Sequence, residues 1–423
     1  MAGEGLLSWK IRSQISRFSN KIGEGFGKVK RRFISEMIFG IQACKDVKIS
    51  QISRSLNEDI KLIKTEERLC RNLSDSDLTE SINRWTCWEG GGQVERDTVL
   101  AVDLGDVRKR YAKKMENLGG IRDGSLGEFG KGYWLCEVVG AHPYGDKIIP
   151  LYGELYAQNA DDYRSENDQI LKAIYAVSEA TEGRGIFAID RGGDRSRLIN
   201  PLIDKDLRFV IRQSGKRRVI VAGRGKLSVK EASRHCAKGV DLEVEIEREG
   251  DRERKRLHIS GMEARLPDRP QTPVWIVSIT GLGPNPVLLL TNVAPERGYN
   301  HFAWIADVYL TRWKCEEAYR FVKQSYSLED VRVRSYIGLR NIYAFVHAIF
   351  YFVSVVIGQK AKLNLILKKV CEKAKRFFEV PSFFQYAVAD GICRLLFASS
   401  SRVKKEPPPD DGQLVMEFMK PPP

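Results

Sequence analysis

Between residues 97 and 211 the hydrophobic pattern changes period in a fixed order, and that order restricts the fold. Asp97 to Val107, DTVLAVDLGDV, has the apolar, β-branched make-up of a buried strand, with an acid inside it. Gly132 to Gly140 (GYWLCEVVG) and Lys147 to Ala157 (KIIPLYGELYA) read as two more strands, and the polar links between them carry the Gly and Asp that hairpins require. Pro150 cannot donate a ladder hydrogen bond, so it marks the third strand as an edge or as the place of a bulge. Asp161 to Thr181 then takes up a helical period through Ile170, Ala173, Ile174 and Val177. Gly185 to Asp190, GIFAID, is a short buried strand that ends in an acid. Leu198 to Asp206 predicts a helix, and Phe209 to Ile211 a further strand.

Three hairpin strands followed by alternating helix and strand is the order of a ribonuclease H-like fold, an α/β class. From Gly215 to about Ala294 the pattern becomes β-rich. VIVAGRG, VDLEVEIE, KRLHIS, VWIVSI and VLLLTN are separated by turn residues, and DLEVEIERE and RERKRLHI form the arms of a hairpin through Glu249-Gly250-Asp251. This reads as a β-rich insertion in the α/β core. Its basic entry (Lys216, Arg217, Arg218, Arg224 and Lys226) suits a phosphate backbone; a solvated charged face explains it equally well.

After the insertion comes Asp307 to Lys323, DVYLTRWKCEEAYRFVK. At about 100° per residue, Tyr309, Arg312, Glu316 and Lys323 fall in one helical stripe about 60° wide, with Arg320 at its edge. A carboxylate among cations suits a metal ligand working beside phosphates. A surface helix with i,i+4 salt bridges fits the same spacing.

The flanks are helical. Ile34, Met37, Ile38 and Ile41 recur at helical intervals, and VKISQISRSL and NEDIKLIKTEERLCRNLS follow as short helices with basic faces. A helix-turn-helix-like DNA-binding module and a plain helical bundle both fit. Gly23 to Lys28 lacks the frame of a nucleotide-binding loop. Glu89-Gly90-Gly91-Gly92-Gln93 reads as a flexible break. Ile342 to Gly358 is apolar and at the short limit for crossing a bilayer, and reads as a buried core helix. Lys360 to Arg376 reads as a basic amphipathic helix, and the proline-rich end as a disordered tail. The expected organisation is therefore a helical N-terminal DNA-binding domain (1–90), the first part of the core (95–214), the insertion (215–294), the second part of the core (295–358), and basic C-terminal helices with a tail (359–423).

Composition narrows the partners. With 69 basic and 55 acidic residues the net charge is +14, which fits a polyanion such as nucleic acid. The eight cysteines are scattered without a C-x-x-C pair, so neither a zinc site nor a disulfide framework is expected. Together with an N-terminus that lacks a signal-peptide pattern, this predicts a cytoplasmic chain, associated with the bacterial nucleoid.

Three carboxylates stand where catalysis needs them: Asp103 on the first strand, Asp190 at the end of a later strand, and Glu316 on the helix after the insertion. Hard divalent ions take carboxylate oxygens, and two-metal phosphoryl transfer needs no nucleophilic side chain. With these residues in this order, the chain resembles the DDE transposases of the insertion-sequence-four type. The resemblance rests on Tyr309, Arg312, Glu316 and Lys323, matching a Y-x-x-R-x-x-x-E-x-x-x-x-x-x-K signature. IDRGGD (Ile189 to Asp194) adds to it, being similar to the segment that carries the second aspartate. It spans about residues 95–356.

The resemblance implies metal-dependent cleavage at transposon ends, a DNA hairpin, and strand transfer into target DNA by a homodimer that synapses two ends. Asp103, Asp190 and Glu316 would hold Mg²⁺, or Mn²⁺ in its place. Tyr309, Arg312 and Lys323 would contact phosphates near the terminal nucleotides. Apart from the resemblance, Arg320, which matches no signature position, and the basic Lys216, Arg217 and Arg218 are further candidate contacts to double-stranded DNA. One departure is that Leu104-Gly105-Asp106 stands where the family commonly has a Thr, which makes Asp106 a rival to Asp103. Asp194 is likewise a rival to Asp190. Trp275 and Trp304 are candidates to receive a flipped base, each with a core role as the alternative, and Trp313 can lie beside the stripe or behind it. A transposase-derived DNA-binding protein without activity, and a structure-specific nuclease on the same fold, are the other readings.

Overall fold

The computed structural model describes residues 2–122, 127–145, 147–248, 251–296, 300–357 and 385–398. Five helices come first: α1 (Ala2–Ile22), α2 (Lys28–Cys44), α3 (Ile49–Leu56), α4 (Leu62–Asp75) and α5 (Thr79–Gly91). Strands β1 (Val99–Arg108), β2 (Gly119–Arg122), β3 (Phe129–Ala141) and β4 (Ile148–Tyr156) follow. Next are α6 (Glu166–Ala180), β5 (Ile186–Ile189), α7 (Ser196–Asp204) and β6 (Phe209–Gln213). Then come β7 (Arg218–Val221), β8 (Gly225–Ser228), α8 (Val229–Ser233), β9 (Ala237–Arg248), β10 (Asp251–Leu266), β11 (Arg269–Thr280) and β12 (Val287–Thr291). Helices α9 (His301–Thr311), α10 (Trp313–Ser325), α11 (Tyr336–Tyr351) and α12 (Gln385–Ala398) complete the order.

The chain divides into two compact units. One comprises residues 1–82, 111–116 and 320–423; the other comprises 83–110 and 117–319. The first is helical. Phe33, Ile34, Met37, Ile38 and Ile41 line the buried face of α2, as their spacing predicts, and Phe33 meets Phe345 edge-on at 5.7 Å. The apolar run expected to be a core helix forms α11 and the π-helical turn Phe352–Ile357, and nearly all of its side chains are buried. Part of the basic surface of α2 and α4 is spent internally. Arg32 and Arg68 both pair with Glu36 and Glu58, at 2.7 Å for Arg32–Glu58 and 2.6 Å for Arg68–Glu58. The basic helix expected over 360–376 and the tail lie outside the described residues.

The second unit is built on one mixed sheet, and among the described residues it has twelve strands. The path runs β2-β3-β1-β5-β6-β12-β11-β10-β7-β8, with β4 on β3 and β9 on β10. β1 pairs antiparallel with β3, and β3 with β4. β5 and β6 then continue the other side of β1 in parallel. Both expectations for Pro150 hold. Among the described residues β4 pairs only with β3, and the register slips there, with Val138 opposite Tyr152 but Val139 opposite Pro150.

The β-rich segment is no separate body. Its last strand, β12, pairs with β6, Leu288 opposite Gln213 and Thr291 opposite Val210, so it prolongs the sheet that carries β1 and β5. The expected hairpin of β9 and β10 is present, with Asp251 opposite Arg248. Gly90 and Gly91 lie in the last turn of α5. The expected flexible break is instead helical through Gly91 and closely packed: a Cβ on Gly91 would meet the Ala180 carbonyl oxygen at 2.2 Å.

Candidate active site

β1 and β5 bring the two aspartates together. The ladder ends with Val102 opposite Ile189, and the next residue on each strand is an acid, Asp103 and Asp190. Parallel strands lie about 5 Å apart, and the carboxyl ends of such strands are where α/β sheets bind their ligands. Asp190 caps the 3-10 turn Arg191–Gly193, and one of its oxygens accepts the Gly192 N–H at 2.8 Å. Asp103 lies within its strand, with its side chain 25% exposed.

The rivals are placed elsewhere. Side chains alternate along a strand, so Asp106 projects from the sheet face opposite to that of Asp103, and it is buried. Asp194 is saturated: one oxygen accepts the Ser214 N–H and hydroxyl at 2.9 and 2.7 Å, and the other accepts Arg217 Nε at 2.7 Å. Gly105 makes room for Tyr319. A Cβ there would meet the Tyr319 ring at 2.3 Å. Without one, the Tyr319 hydroxyl reaches the backbone of Asp106, accepting its N–H at 2.8 Å and donating to its carbonyl. That contact docks α10, and with it Glu316, against β1.

The expected single helix is two. α9 ends at Thr311, α10 begins at Trp313, and Arg312 occupies the turn between them, its N–H bonded to the Tyr309 carbonyl three residues back at 3.1 Å. Arg312 is buried among the acids. It donates to Glu316 Oε1 at 2.6 Å and stands 3.7 Å from Asp103 Oδ1. Burial works against its charge, but Asp103, Tyr309 and Glu316 outweigh burial and raise its pKa. Burial likewise pushes Asp103 up, to about 6; Arg312 pulls it down, and the charges on Asp190 and Glu316 push it further up. The charges of Asp190 and Glu316 therefore both bear on Asp103.

This donor set fits a hard divalent cation in kind: carboxylates from three separate elements, with mutual repulsion that a cation would relieve. Its spacing is not that of a formed cage. Among the described residues no three His, Cys, Asp or Glu side chains stand close enough to hold a metal ion. The guanidinium of Arg312 lies against Asp103 and Glu316 as their counter-charge.

Tyr309 is 3% exposed and packed in the core, so its ring supports Arg312 at 6.0 Å and does not face solvent. Arg217 also turns inward, to Asp194 and Ser196, whereas Lys216 and Arg218 are exposed. Lys323 and Arg320 belong to the helical unit, where Lys323 pairs with Glu329 at 2.7 Å. Trp275 and Trp304 are both core residues; Trp313 is 53% exposed. Glu137 was not among the expected site residues. It is buried directly opposite Asp103 on β3 and on the same face, since residues paired across a ladder share a face. The one signal for it in the sequence is an acid inside an apolar strand.

No protein-family model matches the sequence, and no curated protein matches it either. Among solved structures the chain is similar to a piggyBac transposase synaptic complex with hairpin DNA, determined by cryo-EM. The two are 11% identical, the match covers 98% of this chain and 84% of that one, and the TM-score is 0.41. A likeness that loose decides neither fold nor function.

Proposed function

We propose that this chain is a cut-and-paste DNA transposase of the DDE type, built on a ribonuclease H-like core. The observation that carries the reading is geometric: Asp103 and Asp190 each follow the last paired residues of the β1–β5 ladder, and the Arg312 guanidinium links Asp103 to Glu316. The strand order supports it: β1, β3 and β4 antiparallel, then β5 and β6 parallel to β1.

Asp103, Asp190 and Glu316 would hold Mg²⁺, or Mn²⁺ in its place. Bound there, the cation would activate an attacking oxygen and stabilise the leaving one in cleavage at element ends, hairpin formation and strand transfer. The chain's own residues do the rest. Arg312 neutralises the acids until substrate arrives, and its planar fork suits a phosphate. Tyr319 fixes the height of Glu316 over β1. Lys216 and Lys323 offer point charges, and Arg218 and Arg320 planar guanidinium forks, to phosphates of double-stranded DNA. Tyr309 acts from behind Arg312. A homodimer that synapses two ends is part of the proposal.

A second reading, a transposase-derived DNA-binding protein without activity, is favoured by one observation: the acids are not at metal-ligand spacing. Purified protein incubated with Mg²⁺ and DNA carrying the element's ends separates the two. Cleavage is expected, and Glu316→Gln is expected to abolish it while retaining end binding. Bound but uncut DNA with the unmutated chain would sink the enzyme reading.

A further inference from the structure

The Asp190 turn carries a second acid whose use differs completely. Asp190 is exposed, and one of its oxygens is held by the turn's own backbone. Asp194, four residues on, has a side chain only 5% exposed, with three hydrogen bonds to its two oxygens. All three come from the stretch that opens the β-rich segment, Ser214 to Arg217. Arg217 is itself held on its far side, donating to Ser196 Oγ at 3.0 Å. The turn between the acids has little freedom, because a Cβ on Gly193 would meet Ile189 Cγ2 at 2.6 Å. The receiving stretch is fixed as well, with the Val229 N–H donating to the Arg217 carbonyl at 2.8 Å and the Lys230 N–H to the Gly215 carbonyl at 3.1 Å.

We infer that Asp194 and Arg217 form a positioning latch that sets the orientation of the Asp190 carboxylate and ties it to the basic β7–β8 hairpin. This rests on the proposed reading of Asp190 as a metal ligand. Asp190 caps its turn from one end and Asp194 pins the turn from the other, so loosening Asp194 frees the whole turn. Groups that orient a ligand from behind influence metal affinity by about 10- to 100-fold. The latch also assigns roles within Lys216-Arg217-Arg218. The middle residue faces inward and positions, while its neighbours Lys216 and Arg218 are exposed, Arg218 standing 3.5 Å from Glu231.

The test is Mn²⁺ binding to the full chain, read by electron paramagnetic resonance, with thermal melting measured on every variant. Arg217→Gln is expected to bind Mn²⁺ about tenfold more weakly at an unchanged melting temperature. Arg217→Lys, which keeps the charge near Asp194, is expected to recover most of that loss. Ser214→Ala removes one of the three bonds and is expected to cost about threefold. Asp190→Asn is the reference for loss of a ligand. If Asp190→Asn loses Mn²⁺ while Arg217→Gln binds like the unmutated chain, the latch is overturned and the site stands. If Asp190→Asn binds normally, the site reading fails and the latch with it. Should Arg217→Gln not fold, Ser214→Ala decides, and unchanged binding there overturns the latch.

Discussion

Asp103 and Asp190 stand side by side where the β1–β5 ladder ends, yet the two strands hold their acids by opposite means. On β5 the acid sits on an exposed turn, secured by a backbone N–H and by a second acid that pins the same turn. On β1 the acid lies within a strand, desolvated, with a buried arginine as its counter-charge. One carboxylate is oriented by geometry and the other is balanced by charge. On the proposed reading, a bound cation would meet one carboxylate already oriented by its turn and one that would have to exchange its partner.

That contrast can be broken by experiment. The largest effect is on chemistry: Asp103→Asn and Asp190→Asn are each expected to lower end cleavage at least about a thousandfold while end binding persists, read on labelled DNA. Equal loss of binding would make both acids structural.

The next effect separates the two acids through pH. The folded pKa of Asp103 is raised to about 6 from an ordinary 3.8, so ionisation is disfavoured in the folded state. The penalty is absent below pH 4, grows as pH rises, and is complete above about pH 6. Metal-free protein should lose up to about 3 kcal/mol across that window, by urea unfolding. In Asp103→Asn that contribution to the slope disappears.

Arg312→Gln removes the counter-charge of Asp103 and Glu316 and leaves the Asp190 turn untouched. It should cost about 2 kcal/mol at pH 7, less than a fully buried pair because half of Glu316 is in water. Added Mn²⁺ should return part of that stability, and no return would remove the argument that a cation takes the arginine's place. The smallest effects probe the helix contact. Gly105→Ala forces the Tyr319 ring away and should cost about 2 kcal/mol; Tyr319→Phe loses only hydrogen bonding and should cost about 1 kcal/mol. If the alanine is neutral in a melting assay, Tyr319 is not what holds α10 on β1.

The sheet elements were legible because their apolar runs are buried on both faces, as in GIFAID, and because Pro150 can occupy so few positions in a strand. The candidate acids were legible from strand position together with order. What sequence alone hid depends on partners far along the chain. Arg312 lies in the stripe by spacing, but nothing local says that the helix breaks there or that the side chain turns in to Asp103. Lys216, Arg217 and Arg218 look alike in a row, and only Asp194, more than twenty residues earlier, draws the middle one inward. Gly105 looked like a defect in a family pattern. Its meaning lay in Tyr319, at the other end of the unit's sequence.

The pairing of β12 with β6 has a practical consequence for anyone trimming this protein. Excising residues 215–294 as though they were a removable module would strip the neighbour from β6 and bare a row of unpaired peptide groups beside an apolar strand. A shortened chain of that kind should self-associate through the exposed edge, so a minimal catalytic fragment has to keep the segment whole.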